Sequence, residues 1–177
     1  MTFGGEALRN TRTVSIRDFF FYEVDVSSAK EWNQFRSQKM PEASPGDHFA
    51  LVAMHVATKE MVDWTWSTFW WHDFPNRGKY GKGRPSTVRD EWAHYLMNVS
   101  YDMDLPRERD RSAHICFNPW LEGLFPGGHK SNCVTCHRLS VWPNGLSLPV
   151  TRGSLHGDHP LFMFKAKLDY LWSVARN

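Results

Sequence analysis

The chain has 177 residues, a mass of 20.6 kDa and a formal charge of +2, from 21 Lys+Arg against 19 Asp+Glu. That length suits one compact domain spanning residues 1–177, and a content of 41% hydrophobic and 15% aromatic residues excludes wholesale disorder. The near-balanced charge excludes a dedicated nucleic-acid binder, no apolar run reaches the roughly 18 residues of a membrane span, and three Cys are too few for a disulfide-stapled scaffold.

Residues 1–17 are polar and small and lack the apolar core of about 7–15 residues that a secretory leader needs. Read plainly, that is a cytoplasmic protein; a mature chain whose leader has gone, or a section of a longer polypeptide, fits equally. Residues 14–26 mix β-branched and aromatic side chains, which predicts a strand. Ser28-Ala29-Lys30-Glu31 reads as a capping box opening a short helix to about residue 38, with Trp32, Phe35 and Arg36 on one side. Residues 41–47 are turn-forming.

The clearest unit is 49–72. Residues 49–57 read as a buried strand, 64–72 as a second, and 58–63 as the link of a hairpin whose turn centres between Glu60 and Met61. Period two puts Trp64, Trp66, Trp70 and His72 on one face of the second strand and Thr65, Ser67, Phe69 and Trp71 on the other. Rings on both faces predict a hairpin buried on both sides or packed on a large flat ligand.

Residues 76–85 form a basic, Gly-rich loop. Thr87-Val88-Arg89-Asp90 reads as another capping box, for a helix to about residue 97 with Val88, Trp92, Tyr95 and Leu96 as its apolar stripe. Asn118-Pro119 predicts a capped helical turn to residue 124. A last helix from residue 158 would align Leu161, Phe164, Leu168, Leu171, Trp172 and Ala175. The expected architecture is α+β: a central antiparallel, aromatic-rich hairpin sheet with short flanking helices and much irregular chain.

Chemistry enters at Cys133-Val134-Thr135-Cys136-His137, which is C-x-x-C-H, the attachment motif for c-type haem. Two thiols three positions apart on one helical turn can both reach the vinyl groups on one edge of a porphyrin. The adjacent imidazole then faces the iron from the proximal side. A thioredoxin-like pair would need a βαβ context that the pattern lacks. A zinc site could draw on Cys116, Cys133, Cys136 and His137 or His129, although Cys116 has no second close Cys beside it. Inert buried thiols are the remaining reading.

The stretches His114-Ile115-Cys116-Phe117-Asn118-Pro119-Trp120-Leu121-Glu122 and Ser131-Asn132-Cys133-Val134-Thr135-Cys136-His137 resemble a group of largely uncharacterised bacterial c-type cytochromes. Met54-His55-Val56-Ala57-Thr58-Lys59-Glu60, Thr68-Phe69-Trp70-Trp71-His72-Asp73 and Leu168-Asp169-Tyr170-Leu171-Trp172-Ser173 fit the same group. The resemblance implies one covalent haem c on Cys133 and Cys136 with His137 as axial ligand, and a periplasmic or extracellular, longer precursor. It supplies no reaction. A looser resemblance, to the β-sheet cytochromes c-prime and their hydroxylamine-oxidising relatives, rests on C-x-x-C-H following aromatic-rich hairpins. In the common small helical cytochromes the motif comes early and a Met ligand follows far downstream. Here the only Met after the motif is Met163, in the apolar register of the last helix.

A sixth protein ligand would make an electron carrier; an open position would make a redox enzyme or gas-binding centre. His72, on the Trp face, is placed first as the distal ligand, with His55, between Ala53 and Ala57, as the alternative and Met54 on the opposite face from His55. His114 and His129 lie in turns near the motif. Arg138 could pair with a haem propionate. Arg77, Lys79, Lys82 and Arg84 could steer an acidic redox partner, while Lys59 and Glu60 read as exposed turn residues. Trp120, Trp142 and Trp172 read as core, and Cys116 as a buried free thiol. The leading reading is a mono-haem cytochrome in electron transfer with a redox partner protein.

Overall fold

The computed structural model describes residues 13–104, 114–125, 128–143 and 155–173. The polar stretch 1–12, and Ala175 at the end of the expected last helix, lie outside the described residues. The fold is α+β, with short α-helices and antiparallel sheets of two or three strands joined by much irregular chain. It divides into two compact units, one from Met1–Leu51 with Pro85–His94, the other from Val52–Arg84 with Tyr95–Asn177.

In the first unit β1 (Phe21–Glu23) pairs antiparallel with β2 (His48–Ala50), and α1 (Val26–Phe35) lies between them in sequence. The strand expected over 14–26 shrinks to β1 because Ser15 Oγ accepts from the Arg17 N–H and winds Ile16–Asp18 into a 3-10 turn. The capping residue of α1 is Asp25, three positions before Ser28. Asp25 Oδ1 accepts from the Ser28 N–H at 2.7 Å and Ser28 Oγ accepts from the Asp25 N–H at 3.0 Å, so Ser28 closes the box instead of opening it. Val24, Ala29 and Ala43, with Trp32 against them, form this unit's small core.

The second unit is organised by the sheet β3 (Ala53–Thr58), β4 (Thr65–Trp71) and β5 (Tyr95–Ser100), antiparallel in that order. The strand expected over 49–57 breaks at Leu51 and Val52: β2 pairs with β1, and β3 with β4. The hairpin register Thr58↔Thr65 centres the turn between Met61 and Val62. His55 therefore faces Thr68, not Trp66, a shift of two positions that leaves every side chain on its expected face. One face of the sheet is buried through Ala53, Trp66, Thr68, Trp70, Leu96, Asn98 and Ser100. The hairpin is not buried on both sides: residues 55–58 of β3 are exposed.

Two expected helices are absent. Asp90 sits at φ 54, in the left-handed region, so the box at Thr87 cannot propagate; a 3-10 turn at Asp90–His94 forms and the chain then extends into β5. Near the C-terminus Phe164, Asp169 and Tyr170 have φ of 60, 50 and 66, which no right-handed helix accommodates. That segment makes a 3-10 turn at Pro160–Phe162 instead, and Phe164, expected on the buried stripe, is 94% exposed. Asn118 does cap, accepting from the Trp120 and Leu121 N–H groups, but only one turn closes behind it.

The remaining elements are α2 (Cys133–Arg138), β6 (Val141–Trp142) and β7 (Ala166–Lys167), the last two paired antiparallel. The main core gathers Trp66, Met103, Cys116, Cys133, Val134, Leu139, Val141, Leu155 and Phe162. Burying a Val or Leu side chain contributes about 1.5–3 kcal/mol, so Val134, Leu139, Val141 and Leu155, all nearly inaccessible, anchor α2 and its flanks.

Candidate haem-attachment site

Three buried asparagines hold the motif on the sheet. Asn98, on β5, donates from Nδ2 to the Ile115 carbonyl at 2.9 Å and faces His114 Nε2 through Oδ1 at 3.1 Å. Asn118 donates from Nδ2 to Thr68 Oγ1 at 2.7 Å and to the Phe69 carbonyl at 3.0 Å. Asn132 caps α2, its Oδ1 accepting from the Val134 N–H at 2.9 Å and from the Ser100 hydroxyl, while Nδ2 donates to the His114 carbonyl at 2.9 Å. An amide side chain both donates and accepts, so each can satisfy a strand and a loop at once. Thr68, Asn98 and Ser100 are polar positions on the buried face, and these bonds are what make their burial tolerable.

On α2 the motif takes one helical turn, with Cys133, Val134 and Thr135 buried. His137 places its Nδ1 3.0 Å from the Tyr170 carbonyl. A carbonyl only accepts, so Nδ1 carries the hydrogen and Nε2 keeps its lone pair. Burial holds the imidazole below its ordinary pKa range, the Tyr170 bond opposes this, and His55 adds to the lowering. The result is a neutral imidazole with a free, oriented Nε2. Its ring lies against Trp66, with centroids 4.0 Å apart, and Trp64 stacks on Trp66 at 5.7 Å.

Arg138, next in the chain, is engaged: its guanidinium bonds Asp63 Oδ1 and the Tyr170 hydroxyl, and that hydroxyl also donates to Asp63. Its Nε is buried and has no partner. Burial and the bond to Asp63 push the Tyr170 hydroxyl up to about 12. Beside this group is a cavity of about 430 Å³ lined by residues including Val62, Asp63, Arg138, Lys167 and Tyr170.

The thiols differ in setting. Cys133 Sγ is 3.3 Å from Cys116 Sγ, and the Cys116 N–H donates to the Ser131 carbonyl at 3.1 Å, which keeps the two segments side by side. The bond from Cys133 lowers the Cys116 thiol to about 7, and His114 adds to this. The same bond, with burial, raises Cys133. Burial, with the Glu122 charge adding to it, lifts Cys136 to about 11.

The two distal candidates have different surroundings. His55 Nε2 is 3.5 Å from Glu122 Oε1, and His55 acts electrostatically on His137. His72 follows β4 and its Nδ1 accepts from the Phe74 N–H at 2.9 Å. At about 3.3 Å per residue it is ~20 Å along the strand from Trp66, which packs on His137. Met54 faces away from His55 on the half-buried outer side. His114 is buried against Asn98, His129 lies exposed in the 3-10 turn Gly128–Lys130, and Met163 is exposed. Trp120 and Trp142 are exposed, contrary to a core role, whereas Trp172 packs on the core. Lys59 pairs with Asp169, and Arg84 donates to the Pro75 and Tyr95 carbonyls.

Glu122 had no assigned role in the sequence reading. It is held by the Asn118 N–H at 2.6 Å, burial raises its pKa, and its charge reaches all three Cys. The signal for it was the Asn118-to-Glu122 spacing, which a capped turn brings together.

The donor set fits a haem c at His137, whose Nδ1 is taken and Nε2 spare, and at Cys136, one turn from Cys133. Cys133 Sγ, turned to Cys116, would have to rotate about its side-chain torsion to reach a vinyl group. Among the described residues no group of three or more His, Cys, Asp or Glu is arranged to hold a metal ion. That bears on a zinc site, which needs four protein ligands, more than on haem, whose porphyrin supplies four of its own. No family model, curated protein or solved structure matches the chain.

Proposed function

We propose that the chain is a mono-haem c-type cytochrome domain acting in electron transfer, with haem joined to Cys133 and Cys136 and iron ligated by His137. The observation that carries this reading is the C-x-x-C-H turn with His137 Nδ1 committed to a main-chain carbonyl, since a ligating histidine needs its other nitrogen fixed in this way. When bound, haem supplies a one-electron iron couple. The chain's own part is to set the imidazole tautomer through Tyr170, to shield the proximal side with Trp66, Trp64 and Leu139, and to hold the thiols on one turn. Arg138 Nε, buried and unpartnered beside the 430 Å³ cavity, is available to a propionate.

For the distal side the reading takes His55 over His72, because His55 lies opposite Thr68 on the face of the sheet that carries Trp66, whose ring packs on His137. His55 and Ala57 share the Trp66 face of the sheet and are exposed, leaving a strip with small side chains on which a flat macrocycle could lie. Attachment of haem c takes place outside the cytoplasmic membrane, so the reading also places the mature domain in the periplasm or beyond. Arg77, Lys79 and Lys82 would steer an acidic protein partner, an effect that salt would screen.

A second reading, an open iron site acting on a small nitrogen or oxygen species, is favoured by the His55–Glu122 pair, an acid and base side by side near the motif. Acid denaturation followed by organic extraction tests the haem reading: haem must stay with the protein, and haem in the solvent, or zinc without iron, ends it. Absorption spectra of oxidised and reduced protein with and without carbon monoxide then separate the two roles. A sharp low-spin spectrum indifferent to carbon monoxide is expected for the carrier.

A further inference from the structure

We infer that Cys116 and Cys133 are a redox pair, closing a disulfide in the haem-free chain and thereby withholding one of the two sulfurs of the motif. The pairing stands on geometry alone; only its consequence, the withheld sulfur, rests on the haem reading.

The two sulfurs are 3.3 Å apart and a disulfide needs about 2.05 Å, so the sulfurs have about 1.3 Å to close. Cys116 is 2% and Cys133 7% exposed, and both belong to the main core. Their backbones are fixed independently of the sulfurs. The Cys116 N–H donates to the Ser131 carbonyl, Asn98 holds Ile115, and Asn132 ties both His114 and the start of α2. The pair is therefore brought together by a buried polar network, not by the thiols themselves.

Cys133 could instead bond Cys136 within the motif. Its Sγ is directed at Cys116, in reach of both the sulfur and the main-chain oxygen, and would have to leave that contact to turn towards Cys136.

The reaction takes a small disulfide as oxidant. Cys116 thiolate attacks one of its sulfurs, the S–S bond breaks and one thiol leaves. Cys133, losing its proton, then attacks Cys116 Sγ and expels the second thiol. Two protein thiols lose two electrons and two protons, and one external disulfide becomes two thiols. A buried pair is reached by this oxidant while the chain folds. Once haem holds Cys133, Cys116 has no partner sulfur and remains a thiol.

The test is to refold the reduced, haem-free full chain in a mixture of glutathione and glutathione disulfide, block free thiols and map the tryptic peptides. Cys116 falls in the peptide 112–130, and Cys133 and Cys136 fall together in 131–138. The expected result is a bridge between those two peptides with one alkylated Cys, and the same bridge in Cys136→Ser. A bridge confined to 131–138, loss of the link in Cys136→Ser, or alkylation of all three Cys overturns the inference. Mapping reads sulfur pairing with no haem present, so it succeeds or fails separately from haem attachment.

Discussion

His137 donates its Nδ1 hydrogen to the main-chain carbonyl of Tyr170, 33 residues further along the chain. Tyr170 presents that carbonyl from a left-handed backbone conformation, φ 66, while its hydroxyl bonds both Asp63 and Arg138. One residue thus orients the imidazole through its backbone and braces Arg138, the side chain that follows the motif, through its hydroxyl. The two roles can be separated by mutation, because only the second belongs to the side chain.

Tyr170→Phe should leave the His137 bond in place and remove the hydroxyl. The loss expected is about 1 kcal/mol, the ordinary worth of a partly buried hydrogen bond, since Asp63 and Arg138 still pair directly. Urea unfolding checks the magnitude. The haem absorption maximum should match the unsubstituted protein, and a shifted band would mean that the hydroxyl, not the carbonyl, sets the imidazole.

Asn132→Ala should be far costlier. It removes the cap of α2 and strips partners from Ser100, His114 and the Val134 N–H in a site that is 1% exposed. A lost cap costs about 0.5–2 kcal/mol and an orphaned buried group about 1–3, so a loss of about 2–4 kcal/mol is expected. The same denaturation curve measures it. A loss below about 1 kcal/mol would show that α2 is held by Val134 and Leu139 packing alone.

The β3–β4 hairpin and the C-x-x-C-H turn are legible because each is a local pattern: alternating rings in one case, a fixed Cys-Cys-His spacing in the other. What the sequence hid was the non-local polar row. The spacing of Val88, Trp92, Tyr95 and Leu96 fits a helix stripe, whereas Tyr95 and Leu96 open β5, in which the polar Asn98 and Ser100 are buried. Their burial makes sense only once Ile115 and Asn132 supply partners from other parts of the chain. The 3.6-residue spacing near the C-terminus misled for a different reason: Phe164, Asp169 and Tyr170 lie at positive φ, and nothing in their identities announces it. Tyr170, the residue that orients the motif histidine, was hidden by that same error.

Acid should destabilise the haem-free chain. His137 and His55 both have pKa values held below 6.5, in each case first by burial. A depressed histidine is neutral in both states above pH 6.5, so its contribution is intact there. As pH falls from 6.5 through the folded-state value, the unfolded chain binds the proton first and stability declines. Glu122, raised by burial, acts in the opposite sense, its contribution being lost as pH rises from 4.5 through its folded-state value. Denaturation midpoints from pH 7.5 to 5.5 should therefore fall, and His137→Gln should flatten the slope. An unchanged slope in that variant would place the titrating group elsewhere.

The distal assignment gives the sharpest contrast, because two histidines of one hairpin are predicted to behave differently. His55 is on β3 opposite Thr68, on the Trp66 face of the sheet and 3.5 Å from Glu122. His72 lies past the end of β4 with a ring nitrogen taken by the Phe74 N–H. Holoprotein carrying His72→Ala should keep the absorption bands of the unsubstituted protein in both oxidation states. His55→Ala should lose the low-spin bands and gain a response to carbon monoxide, since removing a sixth ligand opens the iron. If neither variant moves the bands and carbon monoxide already binds the unsubstituted protein, the iron is open and His55 serves with Glu122 as an acid–base pair. Glu122→Gln distinguishes that case: it should alter the pH dependence of ligand binding at an open site and leave a six-coordinate carrier's spectrum unchanged.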